Sequence, residues 1–438
     1  MKFLLKCGSA LALAIGLIPT AIAKTPLSLE QAIALAQEND PWLSGSHYRE
    51  QASAARSVSA GTLPDPTVSL GFANLPVDTF DFGQEPMTQF RVGLSQMFPR
   101  GDTRALQRQR LNELSQQQPY MRQNRRAQVA ASVAQLWLEV YRHSEAIRLI
   151  DKDHALFEHL VDVAQSSYTS AVGRTRQQDL VRAQLELTRL EDRLAVLQQQ
   201  QEMSRAQLGE WLLGSVEHDY VLSSDLPDLT RTSKLVLDTD TVQLLPRLTA
   251  HPAIKTLDQQ VLASETDIQL ARQKYKPQWG LNASYGYRDD DPLGNERSDF
   301  FSMGVTFDVP LFTRNRQDKD VEAASASTEA LKTEKTLALR SMRARLETAK
   351  ARWQRLNQRK ALYEDRLLQE IHDQAEAALT AYTNDVGDFA EVVRARIAEL
   401  NANIDYLNIT IDRLQTVAEL NYFLAPTGDD RVGDISHE

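Results

Sequence analysis

Two stretches of this chain carry apolar residues at alternating spacings of three and four. The first is Leu180, Ala183, Leu187, Leu190, Leu194 and Leu197; the second is Ile397, Leu400, Ile404, Leu407, Ile411 and Leu414. That alternation is the coiled-coil period, so each stretch predicts a helix laid along another helix. Ahead of each lies a longer helix-favouring run, Thr103 to about Tyr168 and Asn315 to about Tyr382, with Pro119 a candidate bend in the first. At ~1.5 Å per residue each run is roughly 100 Å long, more than a compact core can cover. Shorter helices are predicted at 28–62, opened by a Ser28/Gln31 capping pattern and broken at Pro41, and at about 251–276. These could stack end to end with the returning helices and make up their length.

Elsewhere the period switches to two, the signature of strands. Val68, Leu70 and Phe72 alternate with Ser69, Gly71 and Ala73; Phe90, Val92 and Leu94 alternate with Arg91, Gly93 and Ser95. Later, Trp279, Leu281, Ala283, Tyr285 and Tyr287 alternate with Gly280, Asn282, Ser284 and Gly286. Phe301, Met303, Val305, Phe307 and Val309 alternate with Ser302, Gly304, Thr306 and Asp308. The loops between, Asn74–Met87 and Arg288–Ser298, are polar and acidic. Strands of about ten residues with aromatics near their ends fit a tilted membrane strand. From the strands alone, a half-buried antiparallel sheet in a soluble domain fits as well.

The chain repeats itself. Pro41 and Pro252, Pro66 and Pro277, Gly93 and Gly304, and Pro99 and Pro310 are each 211 residues apart. Tyr168-Thr-Ser-Ala-Val-Gly173 returns as Tyr382-Thr-Asn-Asp-Val-Gly387, 214 residues on, each at the end of a long helical run where a Gly lets a helix stop and reverse. An internal duplication follows. The predicted division is 24–213 as the first unit (hairpin 66–98, tip near 173), 214–250 as a mid-height linking segment, 251–424 as the second unit (hairpin 278–310, tip near 387), and 425–438 as a flexible tail. Residues 1–23 read as a secretory signal: Lys2 and Lys6, an apolar stretch from Ala10 to Ile18, then Ala21-Ile22-Ala23.

Of 438 residues, 42% are hydrophobic and 25% charged, and beyond the N-terminus the chain has no apolar run long enough for a membrane helix. The formal charge of -10 argues against a nucleic-acid partner. The only cysteine, Cys7, lies in the signal, which removes disulfides, thiolate metal sites and cysteine catalysis from the processed chain. Eight histidines are present; His143, His154 and His159 are read as helical and without metal-ligating partners at i+3 or i+4. No Ser/His/Asp order or phosphate-binding Gly-rich loop stands out, so the expectation is no enzyme, no cofactor and no metal site. Four strands cannot close a barrel, and in lipid an open sheet leaves backbone groups unsatisfied. Membrane strands here therefore require several chains, and three copies would give twelve strands. The series containing Arg91 and Asp308 would then face a wet lumen.

This plan resembles the TolC family of outer-membrane efflux ducts across essentially the whole processed chain. The likeness is carried by the paired prolines bracketing the hairpins and the paired Tyr-Thr-x-x-Val-Gly tips; Leu63-Pro64-Asp65-Pro66 with Asn74-Leu75-Pro76 is similar to the heavy-metal efflux branch. The resemblance implies a mainly α fold with a membrane β-barrel contribution: duplicated long coiled-coil helices plus four strands per chain. It implies a homotrimer with a 12-stranded barrel in outer-membrane lipid and a periplasmic α-helical tunnel. Such a duct passively conducts metal ions or small toxic compounds from an inner-membrane pump of the RND type, through a periplasmic adaptor, to the outside. A type I protein-secretion duct and a soluble periplasmic coiled-coil scaffold are the alternatives. By the same resemblance Val172, Gly173, Arg174 and Thr175, with Val386, Gly387, Asp388 and Phe389, are adaptor-docking tips; Arg174 stands where the family usually has Leu, and the second tip matches only in Val-Gly. Asp179, Arg182, Glu391 and Arg394 fall where relatives narrow the tunnel. They fit equally well as solvated helix charges or i,i+3 ion pairs.

Overall fold

The computed structural model describes residues 26–169, 177–212, 220–229, 241–384 and 386–425. The first unit opens with α1 (Leu29–Glu38) and α2 (Pro41–Ala60). Ser28 and Gln31 form a reciprocal capping box on α1, and the Asp40 side chain caps α2, with Pro41 at its first position. A hairpin of β1 (Thr67–Ala73) and β2 (Gln89–Phe98) leads into α3 (Thr103–Thr169), a 67-residue helix unbroken through Pro119. The chain returns along α4 (Gln177–Trp211).

The second unit repeats the order. After α5 (Thr241–Ala250) come α6 (Pro252–Gln273), β3 (Trp279–Tyr287) and β4 (Phe300–Phe307). The long helix is α7 (Gln317–Leu362), a π-helical turn at Tyr363–Leu367, and α8 (Leu368–Thr383). The return is α9 (Phe389–Tyr422). The linking segment expected at 214–250 is described only at 220–229, where Leu27 and Leu222 form a parallel bridge, and in α5; the rest of it, the signal at 1–23 and the tail beyond Ala425 lie outside the described residues.

Short helices do tile the long ones end to end. Along α3, α2 bonds through Ser57 to Arg108, Ser46 to Gln118, Glu50 to Arg122 and Asp40 to Arg125, while α4 meets Ser144 through Gln201. Along α7, α6 engages Asp320, Thr328 and Lys335 through Lys274, Ser264 and Asp258. The core is correspondingly long and thin, in three patches. One gathers α1, α3, α4 and α9 around Trp137, whose ring N–H donates to Leu27 O at 3.2 Å. A second holds both coiled-coil seams together, with Ala183, Leu190, Leu400 and Ile404 buried. A third joins α5, α6, α7 and the end of α9 around Ile254, Leu346 and Leu420. Burial of a leucine-sized side chain is worth about 1.5–3 kcal/mol, so many moderate contacts hold the rod rather than one dense centre.

Candidate functional site

All four strands join one antiparallel sheet in the order β1-β2-β3-β4. The central β2–β3 pair links the two repeats, leaving β1 and β4 as edges. Register lines up side chains of one kind across the sheet. Val68, Leu94, Ala283 and Met303 form one row; Leu70, Val92, Tyr285 and Phe301 form the next. Aromatic clusters bound this face at both ends. At one end Phe72 lies 5.2 Å from Phe90, and Phe82 stacks 6.2 Å from Tyr287. At the other Phe98 pairs with Trp279, whose ring lies 4.9 Å from Phe307. From Phe90 to Phe98 is about 26 Å at ~3.3 Å per residue, the scale of a lipid-facing apolar band. The face is open to its surroundings: Phe301 is 71% exposed and Leu70 68%.

The opposite face carries Ser69, Gly71, Arg91, Gly93, Asn282, Ser284, Gly286, Ser302, Gly304 and Thr306. Apart from Arg91, and Met97 and Phe300 near its ends, its residues are small, and space between them is short: a Cβ on Gly93 would come within 2.5 Å of Ser69 Oγ. A wall with bulky residues outside and small ones inside suits a sheet that curls toward its polar side.

Asp308 lies one residue past the end of β4, and its backbone N–H still donates across to Gln278 O at 3.3 Å. Its carboxylate accepts from Gln278 N at 2.6 Å and pairs with Arg100, whose other guanidinium nitrogen donates to Lys276 O at 2.9 Å. Together they clasp the ends of β2, β3 and β4 above the long helices.

At the opposite end, α8 turns into α9. Val386 N and Gly387 N both donate to Ala381 O, at 3.0 and 2.9 Å, closing the end of α8. A Cβ on Gly387 would meet Tyr382 N at 2.7 Å, so only glycine passes there. Asp388 caps α9 through Ala390 N, Phe389 is buried with its ring 5.5 Å from Tyr382, and Val386 is left 85% exposed. Val172, Gly173, Arg174 and Thr175 lie outside the described residues. Of the four charged residues expected to narrow a tunnel, Glu391 and Arg394 form an i,i+3 pair at 2.7 Å on α9. Asp179 is buried in the first turn of α4, and Arg182 is exposed.

One cluster escaped the sequence reading. His372 Nδ1 lies 2.6 Å from Glu399, Arg396 bonds Glu399 at 2.8 Å and Glu376 at 2.6 Å, and together they tie α8 to α9. The Glu399 hydrogen bond and charge raise the His372 pKa. Burial pushes Glu399 upward, but the His372 and Arg396 donors outweigh it and its pKa ends lowered. Across on α3, burial first and the Glu399 charge second raise Asp153. The signal available was symmetry about Gly387, since residues at similar distances either side of a helical turn face each other.

The histidine expectation is corrected. His154 has Glu158 one turn on, at 3.6 Å, with Glu191 of α4 at 3.9 Å, and His159 has Asp162 three residues on. His143 faces Glu139 at 3.8 Å. Among the described residues these carboxylate contacts do not assemble a metal-holding group.

Residues 247–425 match the family model described as outer membrane efflux protein. The fold is similar to that of a membrane protein from Pseudomonas aeruginosa, with a TM-score of 0.76 at 14% identity, covering 90% of this chain and 92% of that one. It is similar to CusC, the subject of work on folding and transmembrane channel formation (TM-score 0.73, 14% identity, 91% and 92% covered). It is similar also to the open state of the MtrE outer membrane channel of Neisseria gonorrhoeae (TM-score 0.70, 15% identity, 91% and 89% covered). At such identities the likeness is one of fold. A search of curated proteins found no match. The family model thus spans the second hairpin, tip and return helix, and along 90% of its length the chain is similar in fold to a solved membrane protein.

Proposed function

We propose that three copies of this chain form the outer-membrane duct of a tripartite efflux system. The observation that carries the reading is the sheet: one continuous apolar face bounded by aromatics, one small polar face, and two edges with no partner strand within the described chain. Pairing β1 of one copy with β4 of the next satisfies both edges, and three copies close a ring of twelve strands. The apolar rows then meet outer-membrane lipid, and the Ser/Gly/Asn/Thr series lines a wet lumen. The long helices continue that lumen as a tunnel into the periplasm.

In this reading the chain conducts rather than catalyses. An inner-membrane pump supplies the energy, and a periplasmic adaptor docks on the tips, Val386–Phe389 and Val172–Thr175. Support for a docking role at the second tip is the exposed Val386 held on a turn that only glycine permits. Asp179, Arg182, Glu391 and Arg394 stand just past the tips as the aperture. The proposed cargo is metal ions or small toxic compounds.

The test is the oligomeric state of the detergent-extracted full chain, by light scattering, with fractionation of the cells beside it. The expected result is a stable trimer from the outer-membrane fraction. A soluble monomer or dimer would leave the strands as an ordinary sheet and end the reading.

A further inference from the structure

The two repeats differ in one place that the duct reading does not use. The offset between them is 211 residues up to Pro99 and Pro310, but 214 from the helix starts Thr103 and Gln317 onward. Three extra residues therefore lie between the second hairpin and its long helix, in Leu311-Phe312-Thr313-Arg314-Asn315-Arg316. The first repeat crosses the same junction with Arg100-Gly101-Asp102, all polar or small, its charges paired with the second repeat: Arg100 to Asp308, and Asp102 to Lys276 at 2.9 Å.

The second junction is built differently. Leu311 N closes a tight turn onto Val309 O across Pro310, and beyond it Leu311 is 73% and Phe312 88% exposed. Arg314 and Arg316 are exposed as well, and neither side chain has an ion-pair partner among the described residues. The nearest acids in sequence are engaged by α6 and the residues just after it: Tyr275 donates to Asp318 at 2.6 Å, and Lys274 pairs with Asp320 at 2.8 Å. The segment thus offers two bare apolar side chains followed by two uncommitted guanidinium groups. Leu311 follows Phe307, one of the aromatics that end the apolar face, by four residues.

We propose that this junction is a lipid anchor: Leu311 and Phe312 sink into the acyl boundary of the periplasmic leaflet while Arg314 and Arg316 bind anionic phospholipid phosphates. The proposal rests on the outer-membrane reading. Continuity with the apolar face places the segment at the membrane boundary, and charge complementarity selects anionic headgroups over zwitterionic ones. An apolar wedge beside basic residues is the usual chemistry of interfacial attachment. A neighbouring copy of the chain is the other occupant such a surface could take.

The test uses the full chain, purified and reconstituted in vesicles of phosphatidylethanolamine and phosphatidylglycerol. Phe312→Cys and, as a control on the apolar face, Met303→Cys are made with Cys7→Ser and spin-labelled. Collision with oxygen, which enters lipid, and with a water-soluble nickel chelate is then measured. The expected result is that both labels are open to oxygen and shielded from nickel. A Phe312 label open to nickel, or shielded from both reagents as between two copies, overturns the anchor while leaving the duct intact. A Met303 label open to nickel overturns the duct reading itself. In parallel, Arg314→Gln with Arg316→Gln should lose preference for spin-labelled phosphatidylglycerol over phosphatidylcholine, by up to about fivefold per arginine. An unchanged preference would refute the headgroup role.

Discussion

Gly387 is held by backbone rather than by any side chain of its own. A methyl group there would press on Tyr382 N and on Ala381. Gly387→Ala should cost about 1–3 kcal/mol locally, through strain at the turn. Limited proteolysis should accordingly speed up around 384–388 while the thermal midpoint of the helical rod stays put. His372 makes a different kind of prediction. Its pKa is raised by Glu399, so its share of the α8–α9 tie is full below about pH 6.5 and fades as pH climbs through the raised value. Glu399 is lowered, so its share is present above about pH 4.5 and fades only in stronger acid. Hydrogen exchange over 368–383, corrected for intrinsic rates, should therefore be slower at pH 6 than at pH 8, and His372→Gln should flatten the difference. Symmetry about Gly387 hinted that these two helices meet, but the pairings of this cluster were not readable in the chain alone. His372 and Glu399 are joined by the register of two helices about a turn, and residue spacing does not fix that register. The Arg100–Asp308 pair was hidden for a related reason: its partners are 208 residues apart and meet only through the strand register.

Elements were far more legible than contacts. Period-two alternation located all four strands, because apolar side chains occupy one face of the sheet and mostly small or polar ones the other. The three-four seams located α4 and α9 for the same reason at helical period. The π-turn at Tyr363–Leu367 left no such trace: it contains no Gly or Pro, and its neighbours are ordinary helix formers. Structure shows what accompanies it, namely Glu364 accepting from Tyr406 of α9 at 2.5 Å and pairing with Lys360. The sheet supplies the clearest test at this scale. Met303→Arg puts a charge on the apolar face and should cost about 2–4 kcal/mol if that face meets lipid. The loss would appear as fewer heat-resistant trimers on a gel. Ser284→Arg, on the small polar face, should leave trimers intact and alter conductance.

The described molecule is a rod with a sheet at one end and the α8–α9 turn at the other. At the turn end the Glu391–Arg394 pair is exposed and within one helix, worth about 0–1 kcal/mol. Such weak pairs would suit the proposed aperture, which has to open reversibly. Charge reversal at Asp179 and Glu391 should raise the conductance of the isolated assembly in planar bilayers; unchanged conductance would remove these residues from the aperture. At the sheet end the requirement is closure. The order β1-β2-β3-β4 gives every chain one edge of each kind, and the proposed ring of three uses every one of those edges. The genetic corollary is dominance. A copy able to enter a ring through β1 but defective along β4 spoils two good copies with it. With equal amounts of normal and defective chain, about one ring in eight would be wholly normal. A single mutant allele of this kind would thus behave as a poison of the proposed duct, not as a halving of it.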